Sequence, residues 1–322
     1  PAHVNWSDEL KHALDDPGRL LAMLDLDPDY ARIDTDPAFP LRVPLAYIKR
    51  MRKGDFHDPL LRQVLPLAEE RHIVPGFVSD PLQERSATLT PGVIQKYAHR
   101  ALLIVTGVCA VHCRYCFRRE FPYADHRLPI ASSSLRAIES DPGLHEIILS
   151  GGDPLMLSDE HLGRLVEALD AIGHLRRLRI HTRLPVVIPA RVTNQLVDCL
   201  RVSRLRISVV VHVNHANELE GDLETALRRC AEAGIALLNQ SVLLKGVNDS
   251  VDAMCDLSER LFDCTVLPYY IHLPDAVRGT HHFAVPDHVG RKIIDAMRIR
   301  LPGYLVPRLV KETPGEASKT WL

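Results

Sequence analysis

Cys109, Cys113 and Cys116 stand at C-x3-C-x2-C within TGVCAVHCRYCFRR, residues 106–119. Three thiolates this close in sequence can converge on one metal centre. An iron–sulfur cluster of four irons held by three cysteines keeps one iron open for a reactive ligand. The same residues suit a zinc site with His112 or a distant group as fourth ligand, or three unligated thiols in a turn. Spacing alone leaves all three readings open. Ser150-Gly151-Gly152-Asp153-Pro154 follows a second apolar run. Two residues without Cβ let a ligand approach the backbone, and also make an ordinary strand-to-helix turn. Asp275 and Glu312 each read by themselves as solvated loop carboxylates. Lys319, in Pro314-Gly315-Glu316-Ala317-Ser318-Lys319-Thr320, reads by itself as a solvated tail residue.

The elements that must position these residues follow a strand, loop, helix rhythm from Arg100 onward. Short apolar runs fall at 101–105, 146–149, 178–181, 205–211, 235–239 and 265–271. Between them, Leu162, Leu165, Val166 and Leu169 lie at i, i+3, i+4, i+7, with Ser158 able to cap and Gly173 able to stop the helix. Leu223, Ala226, Leu227 and Cys230 repeat that spacing before Gly234. Strands alternating with helices predict parallel βαβ units. The expected fold class is α/β, an incomplete barrel of six such units. Chemistry in such barrels collects at the C-terminal ends of strands. The cysteine loop, SGGDP, His181-Thr182-Arg183, His212 and Asn214, Asn239-Gln240, and Tyr269 to His272 all fall there. Residues 1–95 read as a helical appendage broken by prolines, with helices over 41–53 and 59–71. Residues 96–300 read as the barrel, and 301–322 as a short C-terminal segment carrying Lys319.

Composition bounds the function. The 39 basic and 41 acidic residues nearly cancel, which gives no sign of a general nucleic-acid or membrane-surface binder. No apolar run approaches the roughly 20 residues of a membrane helix, and the N-terminal stretch lacks a signal peptide's apolar core. Seven cysteines, four of them scattered among apolar residues, fit a reducing compartment rather than a disulfide framework. The expected location is cytoplasmic. Among the 17 histidines, the pair His281-His282 reads as a solvated loop.

C-x3-C-x2-C with Tyr115 before the last cysteine resembles the signature of the radical S-adenosylmethionine superfamily. SGGDP resembles its glycine-rich motif. CRYCFRR, ILSGGDPL, RLPVVIPARVT, LLNQSVLLKGVND and LPYYIHLPD match, in order, the pattern of the lysine 2,3-aminomutase family. The resemblance begins near Gly76 and runs almost to Leu322. It implies a 4Fe-4S cluster on Cys109, Cys113 and Cys116. It implies S-adenosylmethionine contacts from Ser150, Gly151, Gly152, Asp153 and, by its place on the rim, Gln240. PGEASKT is similar to the family's pyridoxal 5′-phosphate segment, with the lysine and threonine kept and the glycine run lost. That implies Lys319 as the pyridoxal lysine. Arg118 matches the family arginine for the substrate carboxylate. Asp275 and Glu312 match two acidic residues around the substrate's ε-ammonium, the second usually Asp.

The resemblance thus implies an isomerase converting L-lysine to (R)-β-lysine. A 5′-deoxyadenosyl radical would remove hydrogen from C3 of a lysine held as a pyridoxal imine. It implies a flavodoxin- or ferredoxin-type electron donor. The end at Leu322 resembles the short form that supplies β-lysine for a ligase acting on elongation factor P. Other readings are an aminomutase for another amino acid, a radical enzyme without pyridoxal phosphate, and a non-enzymatic zinc or redox-sensing regulator.

Overall fold

The structure is a computed structural model describing residues 5–28, 32–123 and 132–322. The chain opens with four short helices, α1 (Trp6–Lys11), α2 (Pro17–Met23), α3 (Leu45–Ile48) and α4 (Pro59–Arg62). The expected helices over 41–53 and 59–71 are cut to four residues each. Proline explains the second: Pro66 pushes Leu65 out of helical backbone, so α4 cannot extend through it. Asp58 starts α4 by accepting the amides of Leu60 and Leu61, each at 2.9 Å. The appendage is not helical throughout 1–95. It ends in a hairpin of β1 (Thr88–Thr90) and β2 (Val93–Tyr97), turned at Gly92 with φ +87°. The alternation Thr88-Leu89-Thr90 is too short to stand out as a strand in sequence, and the expected boundary at 95 falls inside β2.

Among the described residues, ten strands form one sheet in sequence order. After the hairpin come β3 (Arg100–Thr106), β4 (Glu146–Gly151), β5 (Arg177–Thr182), β6 (Arg206–Val211), β7 (Ala236–Val242) and β8 (Leu267–His272). These are the six anticipated strands, each paired parallel to the next. The sheet then continues beyond them. β9 (Arg308–Lys311) adds a seventh parallel strand and β10 (Thr320–Trp321) folds back antiparallel on it. The order never returns from β10 to β1, so the barrel is unclosed, an α/β architecture with an open side.

Helices α5 (Ser132–Glu139), α6 (Asp159–Asp170), α7 (Leu184–Val187), α8 (Asn194–Arg201), α9 (Asp222–Glu232), α10 (Val251–Asp263) and α11 (Asp287–Arg300) lie between the strands. The Ser158 side chain caps α6, and the helix buries the four residues its spacing singles out, Leu162, Leu165, Val166 and Leu169. α9 likewise buries Leu223, Ala226, Leu227 and Cys230. Each such leucine is worth about 1.5–3 kcal/mol of burial. The strands alternate accordingly. Ile147, Leu149, Leu178 and Ile180 are fully buried against helices. Their neighbours Ile148 and Arg179, register partners of Leu102 and Ser208, face the barrel interior.

Candidate active site

The cysteine loop follows β3 and is clamped from both sides. On one side stands the N-terminal region. The amides of His112 and Arg114 donate to the carbonyls of Arg42 and Gln63, at 2.9 Å each. Arg114 is fully buried, its guanidinium paired with Glu70 and donating to the Phe39 carbonyl at 2.7 Å. Arg119 joins the same carboxylate at 2.6 Å. His112 stacks on Phe39 at 4.8 Å and its Nδ1 meets the Pro40 carbonyl at 2.8 Å. It is thereby engaged with the appendage.

On the other side stands the glycine pair at the end of β4. The amides of Gly152 and Asp153 donate to the carbonyls of Thr106 and Val108, at 2.7 and 2.9 Å. A Cβ on Gly151 would lie 2.4 Å from the Thr106 carbonyl oxygen, and one on Gly152 2.4 Å from that of Val108. Gly151 also has φ +118°, a backbone that disfavours side chains. These glycines are required first by the approach of the cysteine loop. Asp153 belongs to the same brace. Its carboxylate accepts from the Leu155, Arg183 and Leu184 amides and from the Thr182 hydroxyl, at 2.7–3.0 Å. Four internal donors fill it, so its part in any ligand contact is to hold the loop.

Between the loop and the barrel interior lies a cavity of about 750 Å³. All three loop cysteines line it and all are free thiols. Among the described residues, no three His, Cys, Asp or Glu side chains come together around a single ion. Burial, with the neighbouring Cys113, pushes the Cys116 thiol up to about 11. Burial also raises Cys109, so metal binding must displace protons.

The cavity wall carries polar atoms that find no hydrogen-bond partner among the described residues. They are Nε2 of His181, His272 and Gln240, and Nε of Arg179 and Arg183. Orphaned buried donors and acceptors are costly unless something fills the space. Burial depresses His181 and His212 far below their usual range and His272 to about 3, the last helped by Lys319. His181 and His272 keep Nε2 unpaired, whereas His212 Nε2 meets the Tyr115 hydroxyl at 2.8 Å. A cavity this large, lined by unpaired donors, thiols, Arg100, Arg179 and Lys319, fits bulky, anionic, polar cofactors.

The cavity's other polar wall is a chain of ion pairs. Lys319 Nζ lies 2.6 Å from Glu312 Oε2, and Lys96 Nζ 2.9 Å from Glu312 Oε1. Lys96 also reaches Glu84 Oε1 at 3.3 Å. Glu84 grips Arg118 through two bonds of 2.7 and 2.8 Å, and Arg118 donates to Ser150 Oγ at 2.9 Å. The chain links the C-terminal hairpin to the cysteine loop. Lys319 is no frayed tail: Thr320 pairs with Lys311 and Trp321 with Val310, which seats Lys319 over the cavity. Asp275, on the loop after β8, lines the same space. Burial and then the Glu312 charge push its carboxyl up to about 7. Burial works against the Glu312 charge too, but Lys319 and Lys96 outweigh it and hold this carboxyl far below its usual range.

Cys109, Cys113, Cys116, Arg118, Ser150, Gly151, Gly152, Asp153, Gln240, Asp275, Glu312 and Lys319 all line this one cavity, and His112 does not. Arg118 arrives already bound to Glu84, a partner that sequence gave no reason to expect. Asn214 and Asn239 do not reach the cavity. They lace strand ends, Asn239 to the Val213 backbone and Asn214 to the Val242 amide at 2.8 Å. His281 and His282 are half-buried, not solvated, with His282 packed 4.1 Å from Phe283. Sequence reasoning missed Glu84, which was read as appendage, and Lys96, Tyr97 and Arg100 at the start of the barrel, and gave Arg183 no role. The hairpin's alternating pattern around Lys96 was the one available signal.

An unclosed parallel barrel with three cysteines on the loop after its first parallel strand defines a radical S-adenosylmethionine protein. Residues 103–257 match the Radical SAM superfamily. L-lysine 2,3-aminomutase from Escherichia coli strain K12 is 46% identical over 99% of this chain and 95% of its own length. The Haemophilus influenzae protein of that name is 43% identical over 98% and 95%. The Clostridium subterminale one is 37% identical over 85% of this chain and 66% of its own. Streptococcus suis SuiB bound to S-adenosylmethionine is 14% identical, with a TM-score of 0.49 over 68% of this chain and 51% of that one. The chain belongs to the lysine 2,3-aminomutase family of the radical S-adenosylmethionine superfamily. Membership in the superfamily implies a 4Fe-4S cluster and S-adenosylmethionine. Among the described residues, no helix is long and apolar enough to cross a membrane.

Proposed function

We propose that the protein is an isomerase that converts L-lysine to (R)-β-lysine by moving the α-amino group to C3. The observation that carries this reading is the arrangement of Lys319, Glu312 and Asp275 on one wall of a cavity whose other wall holds the three cysteines. One lysine for a covalent cofactor and two carboxylates for a distant ammonium are what an α,ω-diamino acid needs.

Cys109, Cys113 and Cys116 hold the 4Fe-4S cluster, and Gln240, with its unpaired Nε2, contacts S-adenosylmethionine. Ser150, Gly151, Gly152 and Asp153 shape that site through the backbone and through Arg118. Lys319 anchors pyridoxal 5′-phosphate, and Arg100 and Arg179 offer positive charge for its phosphate. When bound, the cluster and S-adenosylmethionine supply a hydrogen-abstracting radical, and pyridoxal phosphate a π system for the migrating nitrogen. Arg118 binds the substrate carboxylate through Nη1 in exchange for its bonds to Ser150 Oγ and the Gly151 carbonyl, while Glu84 holds its other edge. Asp275 and Glu312 receive the ε-ammonium, which fixes C3 relative to the cofactors. The barrel wall keeps bulk water from the reacting carbons. A glutamate side chain would meet two carboxylates here and be repelled.

The protein works in the cytoplasm with a flavodoxin- or ferredoxin-type donor. Its product is the β-amino acid a ligase attaches to elongation factor P. The test is anaerobic incubation of reconstituted protein with S-adenosylmethionine, pyridoxal phosphate, dithionite and L-lysine, followed by chiral chromatography. (R)-β-Lysine in the wild type and none in Cys113→Ala is the expected result. Cleavage of S-adenosylmethionine with lysine untouched would overturn the substrate assignment.

A further inference from the structure

Behind the cysteine loop lies a buried polar network that the proposed reaction leaves unused. At its centre is Arg183, just after β5 and 6% exposed. Its Nη1 lies 2.9 Å from Cys113 Sγ and also contacts the Tyr115 hydroxyl. Its Nη2 donates to Tyr47 Oη at 3.0 Å, Gln63 Oε1 at 2.8 Å and Glu218 Oε2 at 3.1 Å. Gln63 in turn donates to Glu218 Oε1 at 3.1 Å and receives Asn214 Nδ2 at 2.9 Å. Tyr47, Gln63 and Glu218 are fully buried. Tyr47 and Gln63 come from the N-terminal helices, so the appendage reaches to within one side chain of a cluster ligand.

A guanidinium is a planar, permanent cation with five donors in a rigid fork. Seated on a sulfur ligand in a dry site, it does two things. It donates a hydrogen bond to the thiolate, and it puts positive charge beside a centre that becomes one unit more negative on reduction. Hydrogen bonds to the sulfurs, net charge and burial set the potentials of iron–sulfur clusters. Glu218 opposes part of that charge from the far side of the fork.

We propose that Arg183, held by Tyr47, Gln63 and Glu218, sets the reduction potential of the cluster through Cys113, which makes the N-terminal helices part of the redox site. Arg183 is a positioning residue: it acts on the cluster through a ligand. Its charge favours the reduced cluster, and Glu218 trims that preference. The inference rests on the cluster reading of the three cysteines.

The experiment is a redox titration of the full-length reconstituted protein, with dithionite as one-electron donor, mediators present and S-adenosylmethionine absent. The reduced cluster is read by electron paramagnetic resonance. Arg183→Gln removes the cation, and the reduced state should lose about tenfold in relative stability, a midpoint about 59 mV lower. Arg183→Lys restores the charge and should recover at least half of that shift. Glu218→Gln keeps the acceptor oxygen that serves Gln63 and the Asn214 and His215 amides, and removes the charge facing Arg183 together with that one acceptor, while Tyr47 and Gln63 still hold the fork. Its midpoint should move up. Shifts of opposite sign cannot come from general loosening of the site. They also keep the test open if Arg183→Gln folds poorly, because Glu218→Gln alone must then raise the midpoint. Unmoved midpoints, or both moving the same way, overturn the inference while leaving the cluster in place. A wild type without the cluster signal overturns the cluster reading and this inference with it.

Discussion

Lys319 Nζ and Glu312 Oε2 face each other at 2.6 Å across the hairpin formed by β9 and β10. The amine proposed to carry one cofactor therefore rests on a carboxylate proposed to hold the substrate. An ammonium arriving at Glu312 would meet a carboxylate already shared by Lys319 and Lys96. Lys319→Ala should retain iron and sulfide at wild-type levels but lose all cofactor fixed by borohydride. Absorbance and mass spectrometry of the reduced protein read both, and borohydride-fixed pyridoxal phosphate in the variant would refute Lys319 as its anchor.

Glu312 is also where this chain carries one methylene more than the family's usual aspartate. Glu312→Gln keeps the shape and removes the charge from a partly buried pair. Each 1.4 kcal/mol lost is tenfold in affinity, and a broken buried charge pair costs about 2–5 kcal/mol. KM for lysine should rise at least tenfold, with cluster content unchanged. Steady-state kinetics at saturating cofactor check it, and an unchanged KM would remove Glu312 from the substrate site.

Asp275 gives a pH signature. Its carboxyl is raised from 3.8 to about 7 by burial and by Glu312. Folding therefore favours its protonated form. That stability is fully present below about pH 4 and is lost as pH rises to about 7. Asp275→Asn stays neutral and should melt above the wild type at pH 8, with a smaller gap at pH 5. Substrate binding has the opposite sense, because an ammonium wants the ionised form. KM for lysine should rise as pH falls below 7 in the wild type, and not in Asp275→Asn. Calorimetry and pH-dependent kinetics separate the two effects, and equal melting of the two proteins at pH 8 would contradict the raised carboxyl.

The glycine pair should act on the metal site from outside it. Gly152→Ala drives a Cβ to 2.4 Å from the Val108 carbonyl oxygen, so the cysteine loop must shift. Overpacking of this kind costs about 1–3 kcal/mol. The variant should melt several degrees lower and hold less iron after reconstitution, while Gly173→Ala, which meets nothing within 4 Å, should do neither. Full iron content in Gly152→Ala would show that the loop tolerates the added carbon.

Much of this was legible in the chain. The four leucine-type positions of α6, the four of α9 and the six strands β3–β8 follow from periodicity alone, because helix and strand repeats depend only on neighbours in sequence. Site candidates followed from their place at strand ends. The short pieces were not legible: β1, β9 and β10 hold two to four residues each, too few to repeat, and they exist because a sheet edge was already there to pair with.

What the sequence determined by itself is the chemistry on offer. Three cysteines at fixed spacing, a glycine pair, two carboxylates and a late lysine, in that order, carry the family resemblance that implies the reaction class, and the strand–helix rhythm predicts the barrel. What the tertiary structure decided is who meets whom. That Arg118 is gripped by Glu84, that Lys319 rests on Glu312, that Arg183 touches Cys113, and that the glycines serve the cysteine loop are contacts between residues 7 to 70 positions apart. Such contacts depend on where the closing barrel brings each strand end, and burial then fixes their charge states. No local pattern records either.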